Sequence, residues 1–96
     1  MGHQLRMETN PPALLYAWLK KRYPGKRAVN YEAAVAGLLG VTGFHAEAET
    51  LRHVACGYKR PGGLLAVAVQ TWTKGRVRAD ALLSWLHYSR DSERVA

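Results

Sequence analysis

The chain has 96 residues, enough for one small domain. Apolar residues make up 48% and charged residues 22%, which excludes wholesale disorder; the apolar run at residues 64–69 falls far short of the roughly 20 residues that cross a bilayer. Fourteen Lys and Arg against seven Asp and Glu give a formal charge of +7. That excess favours a polyanionic partner, because neutralising phosphates releases counterions, although charge alone leaves protein and anionic lipid open. Cys56 is the single cysteine, which excludes an internal disulfide framework and suits an intracellular, reducing setting without choosing between nucleus, cytoplasm and an RNA-containing organelle. Residues 1–9 are expected to be disordered and carry no functional weight; nothing in them reads as a cleavable leader.

Asn10-Pro11 opens the first helix, with a capping side chain followed by a proline whose missing N–H costs nothing there. Leu14, Leu15, Trp18 and Leu19 follow at helical spacing. Pro24-Gly25 stops the helix after Tyr23, and Lys20, Lys21 and Arg22 crowd its last turn, where cations suit the negative end of the dipole. Val29, Tyr31, Ala33 and Val35 alternate with other residues, predicting a strand that ends at Gly37. Residues 38–43, with Gly40 and Gly43, read as a loop. Phe44, Ala46, Ala48 and Thr50 alternate with His45, Glu47, Glu49 and Leu51, predicting a second strand that runs to about Cys56. Residues 57–63 are dense in turn formers and predict a hairpin tip. Residues 64–72 satisfy both helical and extended patterns; the phase of Leu65, Val67, Val69 and Thr71, with its β-branched content, favours a strand. Val77, Ala81, Leu82, Trp85 and Leu86 trace a last helix ending near Tyr88, and residues 89–96 form a polar tail. The predicted architecture is an α+β domain over residues 10–88 in the order α-β-β-β-α. Its three-stranded antiparallel sheet carries both helices on one face.

Five short stretches in this order are similar to a known family. Asn10-Pro11 with Leu14-Leu15, Tyr31-Glu32 with Gly37, and Phe44 with Glu47 are three of them. Thr73-Lys74-Gly75-Arg76-Val77-Arg78, continued by Ala81 and Leu86, is the fourth, and Leu15-Tyr16-Ala17-Trp18 with Lys21-Arg22 is the fifth. Together they resemble the double-stranded-RNA-binding domain, in particular the version carried by DExH-type RNA helicases. The resemblance implies a non-catalytic module, from a larger RNA helicase or ribonucleoprotein factor, that grips duplex RNA by its shape through phosphate and 2′-OH contacts. It places Lys74, Arg76 and Arg78, with Thr73, on phosphates at the start of the last helix. Tyr16 and Thr42 stand where the family faces the minor groove, and the tip at Lys59 and Arg60, longer than usual for the family, adds two cations that either reach phosphate or form a solvated hairpin. The residues agree by themselves, since a helix N-terminus presents free N–H groups and a positive dipole end. Lys20 and Lys21, at the far end of the first helix, are expected to lie away from this cluster.

A rival reading keeps the same fold but makes it a protein-binding module. Leu38, Leu39 and Val41 then form an apolar contact patch, and the cations serve solubility. No cofactor or metal is expected, because His53 and Cys56 have ligand-like spacing without a second close pair. Glu47 and Glu49 share a strand face with no nucleophile or pocket motif beside them, so no catalytic residue is assigned. Trp18 and Trp85 fall on apolar helix faces and are expected to pack in the core.

Overall fold

A computed structural model of the chain describes residues 10–89. The segment 1–9 and residues 90–96 of the expected tail lie outside them. The described residues form α1 (Pro11–Arg22), α2 (Tyr31–Thr42), α3 (Ala48–Ala55), α4 (Gly63–Trp72) and α5 (Ala79–Ser84). α1 forms as its sequence predicts. The Ala13 N–H donates to Asn10 Oδ1 at 3.1 Å, the two prolines occupy the first positions, and Leu15 and Leu19 are buried one turn apart.

The three-stranded sheet does not form, and each of its predicted strands is helical instead. The one β-pairing among the described residues is an isolated bridge between Pro24 and Val29. At residues 29–37 the alternation of Val29, Tyr31, Ala33 and Val35 is incidental, because so many positions there are apolar that periods of 2 and 3.6 are both satisfied. Asn30 decides the matter by capping α2 as Asn10 caps α1, its side chain accepting from the Ala33 N–H at 3.1 Å. Ala34 and Leu38 are then buried one turn apart, so residues 38–43 are mostly the last turns of α2 rather than a loop. In the second predicted strand, Leu51, Val54 and Ala55 share the inner face of α3. In the third, Leu65, Ala66, Ala68, Val69 and Trp72 follow the i, i+3, i+4, i+7 rhythm on α4. The β-branched residues there are Val67, Val69 and Thr71, and propensity yields to this packing. The last helix is shorter than expected. α5 ends at Ser84, where Trp85 turns extended, and the chain closes on Tyr88, whose hydroxyl donates to the Leu82 carbonyl at 2.7 Å.

α2 packs on α3 and α4, α4 on α5, and α1 on α3 and α5. These contacts enclose one core containing Leu15, Leu19, Leu38, Leu51, Val54, Val69, Val77 and Leu82, none of which reaches solvent. Each such aliphatic side chain contributes about 1.5–3 kcal/mol of burial.

Candidate nucleic-acid interface

The predicted site residues separate into different environments. Lys74, Arg76 and Arg78 are all exposed, and Val77 turns fully inward. At the start of α5, where they were expected to hold phosphate, the protein itself takes two of the N–H groups. The Ala79 N–H donates to Gln70 Oε1 at 2.8 Å and the Ala81 N–H to Asp80 Oδ1 at 3.0 Å. Arg78 Nε is held by the same Asp80 oxygen at 3.2 Å. Thr73 is a structural pin, 5% exposed: its hydroxyl donates to the Val69 carbonyl and accepts from the Val77 N–H.

Arg60 is a clamp. One guanidinium nitrogen, Nη1, donates to the Leu83 and Trp85 carbonyls at 2.6 Å each, and the group lies 4.9 Å above the Tyr88 ring. Lys59 is exposed in the α3–α4 connection. Tyr16 is half-buried beside Pro12, Ala55 and Cys56. Thr42 closes α2, donating to the Leu38 carbonyl at 2.8 Å and accepting from the Phe44 N–H at 3.2 Å. Leu38 is fully buried, which removes it from the apolar patch of the rival reading and leaves Leu39 and Val41 exposed.

Among the described residues, three concave surfaces carry cations: one at the α2–α3 pair, one between the end of α1 and the α4–α5 connection, and a hollow of about 430 Å³ that Arg76 and Arg78 line with Trp85 and His87. The first belongs to the α2–α3 pair. α2 ends on Gly43, whose φ of 76° is the left-handed cap that glycine adopts without strain. Residues 43–47 then turn the chain into α3, with Phe44 and Ala46 packed against the core. Because Leu51, Val54 and Ala55 face inward, α3 presents Glu49 and Arg52 to solvent. His53 lies between them, 3.6 Å from the Glu49 carboxylate and 3.2 Å from Arg52 Nη2. Lys26, Asn30, Glu32, Ala48, Glu49 and Arg52 line one concavity of about 550 Å³, so that two cations and two carboxylates share it.

The turn at 23–30 that carries Lys26 is tied at both ends. Gly25 N–H donates to the Ala28 carbonyl at 3.2 Å and Asn30 N–H to the Tyr23 carbonyl at 2.7 Å. A side chain at Gly25 would meet the Asn30 backbone nitrogen at 2.8 Å. The sequence reading missed Lys26, Asn30 and Arg52. Their signal was present in the Asn30 cap and in the spacing of Leu51, Val54 and Ala55. Beneath this face, the Tyr31 hydroxyl is buried without a hydrogen-bond partner. Burial first, and the neighbouring Cys56 thiol second, pushes its pKa up.

The second surface is a groove of about 970 Å³ between the end of α1 and the α4–α5 connection, lined by Lys21, Arg22, Lys74 and Arg76 over Leu14, Ala17 and Trp18. It joins Lys21, expected to lie apart, to Lys74. Among the described residues no three His, Cys, Asp or Glu side chains form a metal-binding group, and no helix is long and apolar enough to cross a membrane. No known protein family, curated protein or solved structure matches this chain.

Proposed function

We propose that this chain is a non-catalytic duplex-DNA-binding domain that lays α3 in the major groove. The observation that carries the reading is the α2–turn–α3 unit: two packed helices joined by a short glycine-capped turn, the second presenting a polar face beside Lys26. Helix-turn-helix proteins use this arrangement, with the second helix in the groove and the first crossing the backbone. The turn is five residues here, slightly longer than the usual three or four.

The B-form major groove is about 12 Å wide and admits an α-helix. The A-form groove of RNA is too deep and narrow for one. The expectation of duplex RNA leaned on charge, on a resemblance that includes a three-stranded sheet, which does not form, and on a helix start that Gln70 and Asp80 partly take up. Arg52 suits guanine O6 and N7, and Glu49 suits the cytosine amino group. Lys26, Arg27 and Lys59 suit phosphates on the flanks.

The test is fluorescence anisotropy on a site selected from a random duplex library, alongside random duplex DNA, the matching RNA duplex and single-stranded DNA at two salt concentrations. The selected DNA duplex should bind tightest. Arg52→Ala should weaken it by about 10–100-fold, the worth of one bidentate base contact, while random DNA changes by less than about threefold. Tighter binding of duplex RNA at matched salt, or indifference to Arg52→Ala, overturns the reading.

A further inference from the structure

We infer that the groove lined by Lys21, Arg22, Lys74 and Arg76 is a second phosphate site, holding the sugar–phosphate backbone of the duplex that α3 engages; this rests on the proposed function. Four cations from segments far apart in sequence converge on one concavity with no carboxylate in its lining. Like charges brought together without a counter-charge repel, so an anion in the concavity relieves that repulsion.

The cations are also held in place. Arg22 lies 5.0 Å over the Trp18 ring, and Trp18 in turn packs edge-on against Trp72 at 4.8 Å. On the other wall, the Gly75 N–H donates to the Gln70 carbonyl at 2.8 Å and the Arg76 N–H to the Thr73 carbonyl at 3.2 Å. This turn holds Lys74 at φ 56°, the one non-glycine left-handed residue among the described residues. That conformation is strained for a lysine, and strain of this kind concentrates at ligand-holding positions. The apolar floor of Leu14, Ala17 and Trp18 suits the sugar faces of a backbone. Lys21 and Arg22 of the groove precede in sequence the tied 23–30 turn, which carries Lys26 of the α2–α3 surface.

The experiment measures affinity for a labelled 30-base-pair duplex DNA across a salt series, in the full chain. Lys74→Gly with Arg76→Gln should lower the slope of log affinity against log salt by about two units, one per lost phosphate contact. The variant should melt no lower than the parent, since glycine suits the left-handed position, so a loss of binding is not a loss of fold. Lys20→Gln removes one charge outside the groove and should lower the slope by less than about half a unit, where each groove cation lowers it by about one. Equal losses per charge removed in the two variants, or an unchanged slope in the first, overturn the inference. So does tripolyphosphate binding that disappears in the groove variant while its duplex slope stays that of the parent, because a small phosphate compound is then the occupant. A groove variant that loses slope while Arg52→Ala changes nothing keeps the groove and refutes the role of α3. The converse keeps α3 and refutes the groove. A parent that binds no duplex at 50 mM salt (about the low-salt limit of such assays) refutes both.

Discussion

Replacing Arg60 with methionine separates two roles that one cation can play. The substitution keeps an unbranched stem of similar length and removes the charge and every donor. In the structure it deletes the bonds to the Leu83 and Trp85 carbonyls and the stack on Tyr88. Leu83 lies in the last turn of α5, whose carbonyls have no following N–H to take them up. A hydrogen bond to a charged donor is worth about 1.5–3 kcal/mol. Both carbonyls lean on one nitrogen, so the pair is counted once, and the stack adds about 0.5–1 kcal/mol. The expected loss is therefore about 2–4 kcal/mol, a large share of the roughly 5–15 kcal/mol that holds a domain together. For a domain of this size it lowers Tm by on the order of 10–20 °C. Urea unfolding followed by tryptophan fluorescence and by circular dichroism reads the loss directly, and Arg60→Lys should recover part of it. A loss below about 0.5 kcal/mol, the range of ordinary surface substitutions, together with a fall of about one unit in the duplex salt slope, would show that Arg60 contacts phosphate and that the clamp is secondary.

Tyr31 supplies a pH dependence. Its folded pKa is raised above the ordinary value of 10.0, by burial first and by Cys56 second. The neutral hydroxyl is the form the fold accepts, so its stability contribution is complete below about pH 10 and falls as pH rises from there toward the folded value. Tyr31→Phe should therefore flatten the alkaline loss of the urea midpoint. At pH 7 it should leave stability unchanged or raise it by up to about 1 kcal/mol, because it removes a buried hydroxyl without a partner; parallel alkaline curves for parent and variant would refute this. Leu38→Ala should cost about 2–5 kcal/mol in urea unfolding, because Leu38 is fully buried, whereas Val41→Ser, at a position 63% exposed, should change stability by less than about 0.5 kcal/mol. The opposite ranking would place Leu38 on the surface and restore the apolar-patch reading.

How much of the fold could be read from the sequence depended on whether an element carried an unambiguous stop. α1 was legible because Asn10-Pro11 and Pro24-Gly25 bracket it and its apolar spacing fits one period. α2 and α4 were not, because alanine, valine and leucine fill more than half of each helix, in consecutive runs. Such runs satisfy an alternating template and a helical one together, and the choice passes to propensity, which is the weaker term. The decisive residue in α2 is Asn30, whose side chain competes for the Ala33 N–H just as Asn10 does for that of Ala13. Had the two asparagines been weighed alike, Tyr31 would have begun a helix. Leading into α3, Ala46, Glu47, Ala48 and Glu49 alternate, which imitates a half-buried strand. Alanine is too small to signal burial, and the longer side chains Leu51 and Val54 carry the helical period.

The candidate site shows why residue chemistry was legible where residue geometry was not. Lys74 and Arg76 were expected to touch phosphate, and both stand exposed on the wall of a basic groove. A free helix start is not what exposes them, since Gln70 and Asp80 take two of its N–H groups. Arg78, four residues beyond Lys74, is drawn to Asp80 and lines a neighbouring hollow, shared with Arg76, instead of the groove itself. Lys21, expected to be remote, joins Lys74 because α4 returns Trp72 to the Trp18 ring and so brings the end of α1 beside the Lys74 turn. A cation's solvation is a property of the side chain and survives an error in the backbone. Its neighbours are a property of the packing, and here the pairing of two tryptophans sets them.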